Sequence, residues 1–384
     1  MFLHDDGLSL LNTSAPLAQK LEAIQGALVA LVPTVDRIAV VAYDRDTDML
    51  KTLLSTGRKA GLMYYDAKLA QSPSLAKIVE LRRPRVVNDL QVFRESARTH
   101  TRAVRDTGFL SSYTTPMYQD EAFWGFIFFN SLQAGAFTPE RLAILDVYAH
   151  LVSALVTDDE RSVRLLAAAV RTAHDMVHYR DPETGAHIER MARYARLIAR
   201  HLGITGAHPI DDRMIERILE FAPLHDIGKI AVPDRILLKK GGLTPEEREE
   251  MKRHTTLGLQ MIETLAHNFG LEHLEGLDIL RHIAESHHEM LDGSGYPRGL
   301  KNGEIPLEAR VVAVADIFDA LTSERRYKNA WSNEEAFAAL RKLALRKLDA
   351  DCVEALISHK DDVLEIQRHF PDVPAPQVAN RQTS

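Results

Sequence analysis

Residues 221–230 read FAPLHDIGKI, an apolar run that ends on adjacent His225 and Asp226. Two polar side chains at the end of a buried helix are costly unless something satisfies them. Side chains of the same chemistry lie on either side of the pair. Glu183 and His187 are four apart, so on one helix they project from one face and can share an ion. His254 is expected mid-helix, after a helix start at Thr244, and His287 and His288 are adjacent. Asp316 and Asp319 break RVVAVADIFDAL (310–321), otherwise apolar nearly all round, and fall one turn apart on one face. A charged carboxylate on such a helix must be paired, because its desolvation costs several kcal/mol. A histidine–aspartate hydrogen bond in a core explains His225 and Asp226 taken alone. A metal cluster explains the whole set. His187, His225, His254, His287 and His288, with Glu183, Asp226 and Asp316, exceed the roughly four to six ligands of one ion. Two or three divalent ions bridged by Asp226 use them. Without thiolates, this nitrogen and oxygen donor set suits iron, manganese or zinc.

Helices must carry these groups. Asp181-Pro182 offers a cap and first turn for a helix running to Gly203. MIERILEFA (214–222) carries an inward apolar stripe. Thr244-Pro245-Glu246-Glu247 is a capping box, and Ser332 with Glu335 makes another. No strand-like alternation interrupts this half, so an all-α domain is expected over 181–370, with a disordered tail at 371–384. Before it, residues 151–180 read as a linker helix. Val163, Leu166, Val170, Ala173 and Val177 recur there every three or four positions, a seam that would pair two copies into a homodimer.

The first 150 residues differ. Twelve of 17 histidines fall between His174 and His288, outside this region. RIAVVAYD (37–44) and MLKTLLSTG (49–57) read as neighbouring strands, and RPRVVND (83–89) as another. YTTPMYQDEAFWGFIFFNSL (113–132) reads as two strands joined near Gln119, Asp120 and Glu121, with a helix from Thr138-Pro139 onward. This order resembles a GAF domain, an antiparallel sheet with flanking helices that usually senses a small molecule. The signal it would take, small molecule or protein, is left open. A bilin attached through a GAF cysteine is excluded, since the one cysteine is Cys352.

Net charge is −7, which argues against nucleic-acid polymers and membrane surfaces as partners. A single cysteine allows no disulfide within the chain and fits a reducing cytoplasm. MFLHDDGLSLLN lacks the features of a secretory signal, and FWGFIFF (123–129) is far too short to span a bilayer.

LHDIGKI, HHEMLDGSGYP (287–297) and ADIFDALTSERRYKNA (315–330) closely resemble the HD-GYP domain. That family hydrolyses the bacterial second messenger cyclic di-GMP, and the resemblance covers about residues 160–360. It implies metal ligands at Glu183, His187, His225, Asp226, His254, His287, His288 and Asp316, the same set collected above. Glutamate at position 183 is associated in the family with three ions, often iron or manganese. The resemblance also implies substrate contacts at Lys229, Tyr296, Asp319, Arg325 and Lys328. Lys229, one turn after His225, can reach a phosphate on the cluster. Arg325 and Lys328 are spaced to clamp the second. Gly293, Gly295 and Pro297 suggest a fixed irregular loop. Arg326 and Lys240 stand where the family usually has proline, and LRKLDADCVEAL (345–356) lacks its usual glycine and phenylalanine. None of these departures removes a proposed ligand.

The expected activity is metal-assisted hydrolysis of cyclic di-GMP to pGpG, with further cleavage to GMP left open and Asp226 and Lys229 as catalytic residues. Alternatives are another nucleotide phosphohydrolase of the HD superfamily, or a sensor that binds cyclic di-GMP without turnover.

Overall fold

A computed structural model describes residues 5–57, 66–93, 108–178, 185–323 and 330–371. The chain divides into two compact units. The first runs to Leu165 and includes Asp211–Arg213 and His273–Glu275; the second comprises the rest. Glu183, Arg325, Arg326, Lys328, the Asp181-Pro182 cap and the tail from 372 lie outside the described residues.

The first unit is built on six strands: β1 (Arg37–Asp44), β2 (Met49–Gly57), β3 (Asp66–Lys68), β4 (Arg85–Val87), β5 (Ser111–Gln119) and β6 (Ala122–Ser131). They pair in the order β3-β2-β1-β6-β5-β4, and every pairing is antiparallel. The period of two in RIAVVAYD and FWGFIFF divides the apolar residues between two faces. Ile38, Val40, Ile127 and Phe129 join one core with Leu21, Ile24 and Leu28 of α1 (Leu17–Leu31). Val41, Leu50 and Phe126 join the other with Leu75 and Ile78 of α2 (Pro73–Leu81). The β5–β6 hairpin turns on Asp120 and Glu121, whose φ angles of 48° and 65° give the doubly left-handed turn that matches strand twist.

Helix α3 (Pro139–His178) is one continuous element of 40 residues. The boundary expected at 150–151 therefore falls inside a helix. The cause is that Leu145, Val152 and Val156 belong to the core of the first unit, which extends the helix back to Pro139. Of the seam expected to pair two copies, Val163, Leu166 and Val170 each have 0 % exposure within this one chain, and the side chains of Ala173 and Val177 lie outside those described.

The second unit is helical, as the periodicity predicts: α4 (Gly185–Thr205), α5 (Asp212–Phe221), α6 (Asp234–Leu237), α7 (Pro245–Lys252), α8 (His254–Phe269), α9 (Leu277–Ser286), α10 (Leu307–Thr322), α11 (Asn333–Ala344), α12 (Ala350–Ile357) and α13 (Lys360–His369). Both expected capping boxes form, at Thr244–Glu247 and Ser332–Glu335. The nearly all-apolar α10 is central, packing on α4, α9, α11 and α12. Its Phe318 meets Tyr194 edge-on and stacks on Phe337, with ring centroids 5.1 Å apart in both cases. No described helix is long and apolar enough to cross a membrane.

Phe129 has 0 % exposure and stacks on Tyr113. Phe129→Ala should cost about 3–5 kcal/mol of stability, read as a lower denaturant midpoint for loss of the sheet signal. An unchanged midpoint would contradict this packing.

Candidate metal centre

The amphipathic α5 stops at Phe221 because Pro223 cannot continue an α-helix. Two short 3-10 turns follow, Ala222–Leu224 and Ile227–Ala231, with His225 and Asp226 between them, 3 % and 7 % exposed. A Cβ at Gly228 would collide with the His254 carbonyl oxygen and the Gly258 amide of α8. Glycine therefore lets this turn lie directly on α8, which brings Asp226 to His254.

His254 is not mid-helix as expected. Helix α7 ends at Lys252, Arg253 closes it, and His254 opens α8. The corner turns the imidazole inward, with Nδ1 donating to the Met251 carbonyl at 2.8 Å. His225 Nδ1 donates in the same way to Ala222 O and His287 Nδ1 to Ile283 O, each at 2.9 Å. A carbonyl can only accept, so each proton is on Nδ1 and the Nε2 lone pair faces the centre. There they converge on Asp226: His225 Nε2 is 3.1 Å from Oδ2, and His254 Nε2 and His287 Nε2 are 3.2 and 3.7 Å from Oδ1. These three Nε2 atoms and Asp226 Oδ1 are buried and make no hydrogen bond. Lone pairs aimed at a carboxylate repel it unless a cation lies between, so the donor set fits a metal ion. Asp226, His254, His287 and His288 can each place one ligand atom within 4.8 Å of the others.

Ionisation follows from the same crowding. Burial disfavours a charged His225, but the Asp226 and Asp316 carboxylates outweigh it and raise its pKa to about 9. Burial would raise Asp226, yet the Lys229 ammonium 2.8 Å away and His225 hold it well below the usual carboxylate range. Burial pushes His287 and His288 down, which keeps them neutral and suited to ligation.

A second layer joins α4 to α10. His187, 5 % exposed, hydrogen-bonds through Nδ1 to Asp319 Oδ2 at 2.7 Å and turns Nε2 toward Asp316 Oδ1 at 3.9 Å. Asp319, expected as a substrate contact, lies enclosed by protein. Asp319 has 0 % exposure, and its oxygens are held by His187, Arg190 and Ser323. Spacing put Asp316 and Asp319 on one face; depth separates them. Asp316 is 20 % exposed beside the centre, while Asp319 lies behind His187 and orients it. Burial would raise the Asp319 pKa, but His187 and Arg190 lower it overall, so it remains an anion.

The rim is the loop after His288. Tyr296 lies 4.7 Å from the His288 ring, centroid to centroid, with the Lys252 ammonium 5.5 Å from its own centroid. Burial and the Asp226 carboxylate raise its pKa, so the phenol keeps its proton to donate. A Cβ at Gly295 would strike the Met290 amide nitrogen, Glu289 Cα and the His288 carbonyl oxygen, which is why the loop can fold back so tightly.

Two residues that sequence reasoning missed support all this. Glu289, 3 % exposed, accepts from the amides of Arg298, Gly299 and Leu300 at 2.7, 3.1 and 3.0 Å and holds the loop shut. Arg190 grips Asp319. Its signal was present: an arginine three residues after His187 is where a buried carboxylate on a facing helix finds its cation. The structure thus gathers His225, Asp226, His254, His287 and His288, sets Lys229 and Tyr296 beside them, and pairs His187 with Asp316.

Fold and centre together define a helical domain organised on a histidine–aspartate cluster that could hold a metal, preceded by a domain built on an antiparallel sheet. Residues 171–352 match the family model of the HD domain and residues 21–156 that of the GAF domain, so the chain carries a GAF domain followed by an HD domain. The chain is 40 % identical over 227 residues to the cyclic di-GMP phosphodiesterase response regulator RpfG of Xanthomonas campestris, covering 59 % of this chain and 55 % of that protein. It is 43 % identical over 194 residues to a cyclic di-GMP phosphodiesterase of Thermotoga maritima, covering 50 % and 49 %. A 3′3′-cGAMP-specific phosphodiesterase of Vibrio cholerae is 35 % identical over 196 residues, covering 51 % and 35 %. The chain spans about half the length of the first two of these relatives.

Asp319→Asn keeps the shape but removes the charge that faces Arg190 and His187. Metal affinity should fall by about 10–100-fold with helicity retained, measured by metal titration and circular dichroism. An unchanged affinity would show that His187 needs no anchor.

Proposed function

We propose that this chain is a metal-dependent phosphodiesterase that opens cyclic di-GMP to linear pGpG under control of its GAF domain. The convergence of three buried, unpartnered imidazole Nε2 atoms on Asp226 carries the reading. The names of the relatives at 40 % and 43 % identity support the substrate. His187, His225, Asp226, His254, His287, His288 and Asp316 would hold divalent ions, with Glu183 as the eighth ligand of a three-ion site. Imidazole and carboxylate donors favour iron or manganese. Bound ions would supply an acidified water and counter-charge at the phosphodiester.

The chain's own groups do the rest. Attack of the water oxygen on phosphorus forms one P–O bond and breaks the bond to the ribose 3′ oxygen, which takes up a proton. Lys229, 20 % exposed and held against Asp226, stands where it can give that proton and neutralise phosphate charge. The protonated Tyr296 phenol offers a donor and a ring face at the rim. Arg325 and Lys328 would clamp the second phosphate. Light scattering on the full chain decides whether the expected homodimer forms.

The test is chromatography of cyclic di-GMP and 3′3′-cGAMP incubated with iron- or manganese-loaded protein. Cyclic di-GMP should yield pGpG, Asp226→Asn should abolish product, and Lys229→Ala should lower kcat by about 100-fold or more. Preference for 3′3′-cGAMP would move the substrate, and tight binding without product would make the protein an effector. Glu183→Gln should lower metal content from three ions toward two; unchanged stoichiometry would end the three-ion reading alone.

A further inference from the structure

One support of the centre lies beyond the region that matches the HD domain, which ends at residue 352. Arg190 is 4 % exposed. A guanidinium carries its donors in a rigid planar fork, so seating one edge decides where the other points. Its Nε and Nη2 reach the two oxygens of Asp319 at 2.7 and 3.0 Å, and Nη2 also donates to Ser323 Oγ at 2.7 Å. Nη1 donates to the Phe370 carbonyl at 2.9 Å. Phe370 is the residue that closes α13, its amide bonded to Ile366 O at 3.0 Å. The Arg193 guanidinium stands 5.2 Å from the centroid of its ring. The C-terminal helix is thus pinned at its end by two arginines of α4, the helix that carries His187.

We propose that the Phe370 carbonyl is a positioning group of the metal centre. By holding Nη1 of Arg190 it fixes the fork that orients Asp319 and, through Asp319, the His187 imidazole. The inference rests on reading His187 as a metal ligand. Losing the carbonyl removes one of the directed bonds that seat the guanidinium. The fork is then held less firmly against the two oxygens of Asp319, and Asp319 in turn directs His187 Nδ1 less firmly. The Nε2 that faces Asp316 follows the ring. The plainer account is that Phe370 only packs α13 onto α4. That account predicts lost stability with intrinsic metal affinity unchanged.

The experiment compares chains ending at residue 371, which keeps Phe370, and at residue 367, which does not, in Mn(II) titrations followed by electron paramagnetic resonance without substrate. The chain ending at 371 should bind as the full chain does, and the one ending at 367 about 10-fold more weakly. In an Arg190→Lys background, which lacks the fork, the same shortening should have no further effect. Equal affinity of the two lengths overturns the proposal, and so does an equal drop in both backgrounds, since packing alone is additive. Should the shorter chain lose helicity, Phe370→Ala in the full chain takes its place. Removing the ring under Arg193 loosens the carbonyl, and affinity should fall a few-fold with the circular dichroism unchanged; unaltered affinity again overturns it. Absence of any Mn(II) binding by the intact chain would instead remove the metal-centre reading itself.

Discussion

A buried carboxylate faced by imidazole lone pairs is the constraint on which the second unit depends. Asp226 is 7 % exposed, with three Nε2 atoms within 3.7 Å of its oxygens. Each of these rings is held from behind. The restraints on His225, His254 and His287 are local, a carbonyl three or four residues earlier on the same stretch of backbone. Forming the turn or helix therefore sets the ring, its tautomer and its direction together.

His187 is held differently. Its anchor is Asp319, 132 residues away, and that carboxylate is held in turn by Arg190 and Ser323. The seven groups read as ligands among the described residues thus rest on two kinds of support. One part is fixed by short-range geometry and survives wherever its helices form. The other exists only when α4, α10 and the end of α13 are packed as in the native fold. Gly228 and Gly295 belong with the first kind, because each lets one piece of backbone approach another where a side chain would block it.

Much of this was legible in the sequence, and the reasons differ by residue. Strand pairs 37–44 with 49–57, and the hairpin turning at Asp120–Glu121, were readable because a period of two and turn residues are local signals. The capping boxes at Thr244 and Ser332 were readable for the same reason. The histidines and carboxylates stood out because buried polar groups must be satisfied. What escaped was depth. Asp316 and Asp319 share a helical face, and only packing against α4 decides that one borders the centre and the other lies behind it. The corner at Arg253 escaped because Met251, Lys252 and Arg253 are good helix formers and no Gly or Pro marks the break. The stripe Val163–Leu166–Val170 is the same pattern whether a second chain or the protein's own residues cover it; here it is covered within the chain.

The backbone-anchored tautomers have a consequence for how the protein matures. Where ligands are unstructured until the ion arrives, folding and metal uptake are one event. Here His225, His254 and His287 take their direction from carbonyls of their own stretch of backbone, so forming that backbone aims the rings by itself. Folding and loading can then be separate events, and the identity of the occupant is decided by which ions the surroundings offer, within the preferences of nitrogen and oxygen donors.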